Sequence, residues 1–124
     1  MSATTVRFAQ RLAEIVPRLR PIPREHEEDN FGEILPHLFM GDVARWATAA
    51  FRRSNEENLV GNEEESQLMR LLTSLEEAYG NEGPEIEELI SVSFLENLPR
   101  PEEEGGQIRA LVGPRLKKQL NAIG

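Results

Sequence analysis

The sequence predicts an all-α fold, a single-domain bundle of about five helices. Three observations carry that expectation. At least four segments repeat apolar residues at three- and four-residue intervals, the stripe of an amphipathic helix. None sustains the period-two alternation of a half-buried strand, and there is no Asn-Gly or Asp-Gly hairpin turn. Glu outnumbers Asp 20 to 2, a bias that suits helices because Glu tolerates their interiors better.

The first expected helix covers residues 4–19, with Val6, Ala9, Leu12, Ala13, Val16 and Leu19 as its stripe and Pro17 ending or kinking it. Pro21 and Pro23 forbid continuation. Residues 1–30 therefore read as an N-terminal helix plus a proline-rich loop, and residues 31–124 as the main bundle.

The second helix keeps its spacing through Leu35, Leu38, Phe39, Val43, Trp46, Ala47, Ala50 and Phe51, and Pro36 suits its first turn. Gly41 costs about 1 kcal/mol relative to Ala there, which points to close packing by a neighbour. Asp42 and Arg45 flank the stripe as candidate structural polar residues. Ser54 to Glu65 reads as a connection, with Glu63, Glu64 and Glu65 in a solvated stretch. Leu68, Leu71, Leu72, Leu75 and Tyr79 then define a third helix ending at Gly80.

The short link Asn81-Glu82-Gly83 makes helices three and four expected antiparallel neighbours. The fourth, Pro84–Leu98, is expected at the centre of the fold. Ile86, Leu89, Ile90, Ser93, Phe94 and Asn97 form its stripe, while Val92 and Leu95 fall opposite Ile90 on a wheel of about 100° per residue, so neighbours are expected on more than one side. Glu85, Glu87 and Glu88 lie in its first turns, where the helix dipole favours acids. PRPEEEGG reads as an exposed linker. A short helix or turn around Ile108, Leu111 and Val112 and a C-terminal helix opened by Pro114 complete the chain.

Of the 124 residues, 33 are Leu, Ile, Val or Phe, enough for one core and above the level at which chains stay disordered. Cysteine is absent, which excludes disulfides, thiolate zinc sites and cysteine nucleophiles. The N-terminal stretch lacks a continuous apolar core of signal-peptide length, and no segment approaches the roughly 18 apolar residues that span a bilayer. A cytoplasmic protein without membrane association is expected.

The net charge of −8 is unevenly distributed. Residues 1–24 and 105–124 each sum to +4, whereas residues 25–104 sum to −16. The plain explanation is that basic ends pack beside the acidic middle and relieve its self-repulsion. The functional one is an acidic face that meets a basic protein partner. Nucleic acid is disfavoured, because the bulk of the chain repels phosphate.

LPHLFMGDVARW, the Leu-rich third helix, ISVSFLENL and LVGPRLKKQL together resemble a small, largely uncharacterised bacterial domain family with a helical fold. The resemblance covers Leu35 to Leu120 and does not reach the first 30 residues. Some proteins of this general kind lie among toxin–immunity and other interbacterial-conflict genes, and an immunity-type role is the expectation this resemblance implies. It carries no catalytic residues.

Candidate chemistry is sparse. His26 stands in HEED, so a carboxylate-rich metal site from His26, Glu27, Asp29 and His37 is conceivable. The HExxH spacing that places two ligands on one helix face is absent, because the fourth residue after His26 is Asn30. Glu96 borders the apolar half of the central helix, where burial would demand a partner such as Arg45 or Arg109. Ser91 and Ser93 lack a nucleophile elbow and read as small residues that admit a neighbour. Trp46 belongs to the core stripe but would anchor an interface if partly exposed.

The expectation is a non-enzymatic acidic interaction module without metal or cofactor, with Trp46, Glu63, Glu64, Glu65, Glu85 and Glu88 as candidate interface, in its finer form a toxin-neutralising immunity protein. One alternative is a small metal-dependent enzyme or regulator using His26 and His37. Another is a nucleic-acid mimic that inhibits a basic protein.

Overall fold

The computed structural model describes residues 3–19, 21, 36–56 and 63–123. Every regular element among them is helical and none is a strand. Helix α1, Ala3–Ile15, is followed by a 3-10 turn, Pro17–Leu19. Its buried face is Phe8, Ala9, Leu12, Ala13, Val16 and Leu19. Val6 is only half-buried, and Phe8 takes the place the spacing assigned to it. The division at residue 30 falls outside the described residues, but α1 shares one continuous core with the rest.

Helix α2, Pro36–Glu56, is the long scaffold. Phe39, Met40, Val43, Ala44, Ala47 and Ala50 are fully buried along it. Leu38, expected on the stripe, is 57% exposed. Counting 100° per residue, the buried set spans an arc that starts at Phe39, and Leu38 lies about 100° outside it.

Helix α3, Glu63–Ala78, starts five residues before the apolar stripe. Glu63, Glu64 and Glu65 are its first turn, not a solvated connection. Three carboxylates sit well at the positive end of the helix dipole, and Glu64 is held there by Arg53. Gly80 and Gly83, with φ of +89° and +97°, turn the chain into the next element, a backbone only glycine adopts freely.

The central element, α4, is continuous but changes pitch. It opens as an α-helix over Pro84–Glu88, widens into a π-helix over Leu89–Phe94 and tightens into a 3-10 turn over Leu95–Asn97. A π turn holds one residue more than an α turn, so the buried stripe shifts register by one. Ile86, Leu89, Ile90, Ser93 and Phe94 are buried as the α period requires. Beyond them Leu95 and Leu98 are buried, and Asn97 turns out to solvent. Leu95 thus finds its neighbour through the pitch change, whereas Val92 stays 46% exposed.

The position of α4 is central, with α1, α2 and α5 packed around it and its π segment lying chiefly on α2. The expected antiparallel pairing of α3 with α4 is not a principal contact. Helix α3 packs mainly on α2 and α1, so the short turn joins two helices that share neighbours more than they share a face.

The acidic tip after α4 is exposed, yet the segment is a built turn. Glu103 N–H donates to the Arg100 carbonyl at 2.9 Å and Gly106 N–H to the Glu103 carbonyl at 3.0 Å. Gly105 and Gly106 are buried, and a Cβ on Gly106 would lie 2.3 Å from the Arg100 carbonyl oxygen. A 3-10 turn, Gly106–Ala110, leads to α5, Pro114–Ile123. Glu76 of α3 caps α5, its two carboxylate oxygens accepting the Arg115 and Leu116 N–H groups at 3.1 Å each.

Candidate functional site

One of the two buried polar side chains among the described residues lies where the π segment of α4 meets α2, and the other is Gln67 of α3. Ser93 is 5% exposed and its hydroxyl is hydrogen-bonded to His37 Nδ1 in the first turn of α2. Asn97 Nδ2 donates back to the Ser93 carbonyl at 2.8 Å, a side-chain bond to a backbone acceptor one turn earlier. Ser91, two residues earlier, faces the other side and accepts from Gln119 Nε2 of α5 at 2.9 Å. The two serines therefore tie α4 to helices on both flanks. A serine beside an imidazole is the start of a nucleophile–base pair, but no third group orients His37 among the described residues, and the serine is enclosed.

The other expected structural residues fall elsewhere. Asp42 and Arg45 pair with each other one turn apart on α2. Glu96 is exposed and forms no ion pair among the described residues. Arg45 is taken by Asp42, and Arg109 Nε donates to the Pro99 carbonyl at 2.6 Å. The expected Glu96 pair is therefore absent, because the register shift carries Glu96 to the surface and Leu95 inward. His26, Glu27 and Asp29 lie outside the described residues. Among the described residues no three His, Asp or Glu side chains converge as a metal site.

The candidate interface residues separate into groups. Trp46 is half-buried and packs against the core. Glu63, Glu64 and Glu65 sit at one end of α3, while Glu85 and Glu88 follow the turn at its other end, about 22 Å away along a 16-residue helix. Ion pairs distinguish the two groups. Arg18 approaches Glu63 at 3.5 Å, and the hydrogen bond from Arg53 holds the Glu64 carboxyl below the usual glutamate range. Arg11 donates to Glu82 at 2.6 Å, Arg52 pairs with Glu104 and Arg115 with Glu76. Glu85 and Glu88, by contrast, are exposed and have no ion-pair partner among the described residues. Neighbouring Glu87 adds to burial in pushing the Tyr79 phenol up.

Two open clefts flank Arg109. One, of about 420 Å³, has Leu95 and Leu98 in its wall with Glu96, Glu102 and Glu103 at its rim. The other, of about 450 Å³, lies between the 3-10 turn and α5. Neither these clefts, nor the Glu76 cap, nor the His37–Ser93 contact was anticipated. Each joins residues from 10 to 56 positions apart in the chain, and no local pattern marks such a pairing.

Membrane-spanning architecture is absent from the described helices, none of which is long and apolar enough to cross a bilayer. A family model described as a domain of unknown function, DUF7674, matches residues 9–123. The match takes in most of α1, beyond the Leu35–Leu120 span of the resemblance. No curated protein and no solved structure matches the chain.

Proposed function

The chain belongs to the DUF7674 family, and from that premise we propose that it is a non-enzymatic interaction module that binds a basic protein in the cytoplasm. The observation that carries this reading is the uncompensated acid at the start of α4. Glu85 and Glu88 are exposed and free of ion pairs among the described residues, in a fold that pairs Glu63, Glu64, Glu76, Glu82 and Glu104 with arginine. Carboxylates left without an internal partner steer association with a cationic surface. Trp46 is half-buried against the core and so keeps part of its surface for such a contact.

In its finer form the module is a bacterial immunity protein that neutralises a toxin, a role supported by the sequence resemblance alone. The test is purification of the complex from the native host, followed by rate measurements on the recovered pair. Association is expected to slow as salt rises, since charges are screened beyond about 8 Å near physiological ionic strength. Glu85→Lys with Glu88→Lys is expected to lower the on-rate more than it raises the off-rate. An on-rate indifferent to salt and to both reversals removes the acidic-face reading. Failure to protect cells from a toxin encoded beside it removes the immunity form.

A further inference from the structure

Arg109 stands apart from most of the arginines around it. Arg11, Arg18, Arg45, Arg52, Arg53 and Arg115 all sit within 4 Å of a carboxylate. Arg109 is half-buried, yet its Nε is spent on the Pro99 carbonyl, and no ion pair reaches it among the described residues although Glu96, Glu102 and Glu103 line the cleft on one side. On its other side, the cleft of about 450 Å³ contains no acidic side chain. Arg109 and Lys117 supply its charge, Gln107 and Asn121 its neutral polar groups, and Ala110 and Leu120 part of an apolar wall.

From this arrangement we propose that the cleft between the Gly106–Ala110 turn and α5 binds an oxyanion, a carboxylate or phosphate group carried on a small, partly apolar body. Anchoring Nε fixes the plane of the guanidinium and leaves its two terminal nitrogens as an end-on fork, the geometry that receives two oxygens of one anion. Lys117 adds a point charge. The amides of Gln107 and Asn121 offer neutral donors, and the apolar wall takes the body of the ligand, in a volume within the range of small-molecule sites. The net charge of −8 opposes anions at long range, but screening confines that repulsion to about 8 Å at physiological ionic strength. Local chemistry then decides. The inference is independent of the acidic-face reading, since it concerns cations and a different ligand.

The test is an amide chemical-shift titration of the full chain with benzoate, phenyl phosphate and neutral benzamide. Saturable shifts confined to Gly106–Ala110 and Lys117–Asn121 are expected with either anion, and none with benzamide. A preference for benzoate assigns a carboxylate ligand and the reverse assigns a phosphate. Arg109→Lys, which keeps the charge and removes the fork, is expected to weaken binding about tenfold, as loss of a charge-assisted pair does. Lys117→Gln changes an exposed side chain, so the fold is preserved, and it is expected to weaken binding several-fold. Lys118→Gln is expected to leave it unchanged. Equal binding of benzamide, shifts outside the cleft, no saturation with either anion, or affinity untouched by both Arg109→Lys and Lys117→Gln overturns the proposal.

Discussion

Gly41 is buried in the middle of a helical turn of α2, where glycine is expensive. The space around it is nevertheless sufficient for a methyl group. A Cβ would lie 3.6 Å from the Arg45 guanidinium and 3.7 Å from Asn97 Nδ2, both ordinary contacts. The close packing that glycine suggested is not there. Gly41→Ala is therefore expected to stabilise the fold by about 0.5–1 kcal/mol, through reduced freedom of the unfolded chain, and a urea midpoint that falls would contradict it. Glu64 is a residue whose contribution depends on pH. Its carboxyl titrates lower in the folded than in the unfolded chain because Arg53 donates to the charged form. That contribution is complete above the unfolded glutamate pKa and is lost as pH falls through the folded one. Arg53→Gln should return the Glu64 carbon shift titration toward the usual glutamate range and flatten this part of the acid transition.

At the scale of elements, the apolar spacing identifies the five α-helices given above among the described residues, and Pro36, Pro84 and Pro114 mark three of their starts. What it did not reveal was the pitch of α4. Side-chain periodicity assumes one rotation per residue, and a π turn breaks that assumption without any residue type announcing it. The misreadings of Glu96, expected to need a buried partner, and of Asn97, expected on the stripe, share this single cause. Phe94, just before the shift, and Leu72 on α3 are unaffected and almost completely buried. Phe94→Ala and Leu72→Ala are each expected to cost about 2–5 kcal/mol from lost transfer energy and a residual cavity, and midpoints that barely move would place them outside the core. The candidate site was legible only in part, because ion pairs depend on tertiary proximity. Glu76 is the clearest case, an unremarkable acid late in α3 that caps α5 from 39 residues away. Glu76→Ala should cost about 1–2 kcal/mol as two helix N–H groups lose a charged acceptor. Loss of amide protection confined to residues 115–118 would identify the mechanism.

For the whole molecule, the basic ends do reach the acidic middle. Arg11 and Arg18 from the N-terminal part contact Glu82 and Glu63, and Arg115 from the C-terminal part contacts Glu76. Each pair is half-exposed and by itself worth about 0–1 kcal/mol. Their sum matters more, because the chain carries −8 overall and every arginine lost deepens the self-repulsion of the compact state. Reversing Arg11 and Arg115 together to Glu adds four negative charges to that field and removes two pairs. A loss of about 1–2 kcal/mol is expected at low ionic strength. Most of it should vanish near 1 M salt, where the screening length is about 3 Å. Arg11 also lies over the Phe8 ring, 5.3 Å from its centroid, so part of its effect is packing that salt does not remove. Arg7→Glu separates the two, since Arg7 is exposed on the same helix and its reversal changes the field without breaking one of these contacts. If the field dominates, Arg7→Glu should reproduce about half of the low-salt loss. If Arg7→Glu is silent and the double reversal costs the same at both salt concentrations, the ends are held by contact alone and the charge pattern along the chain has no part in folding.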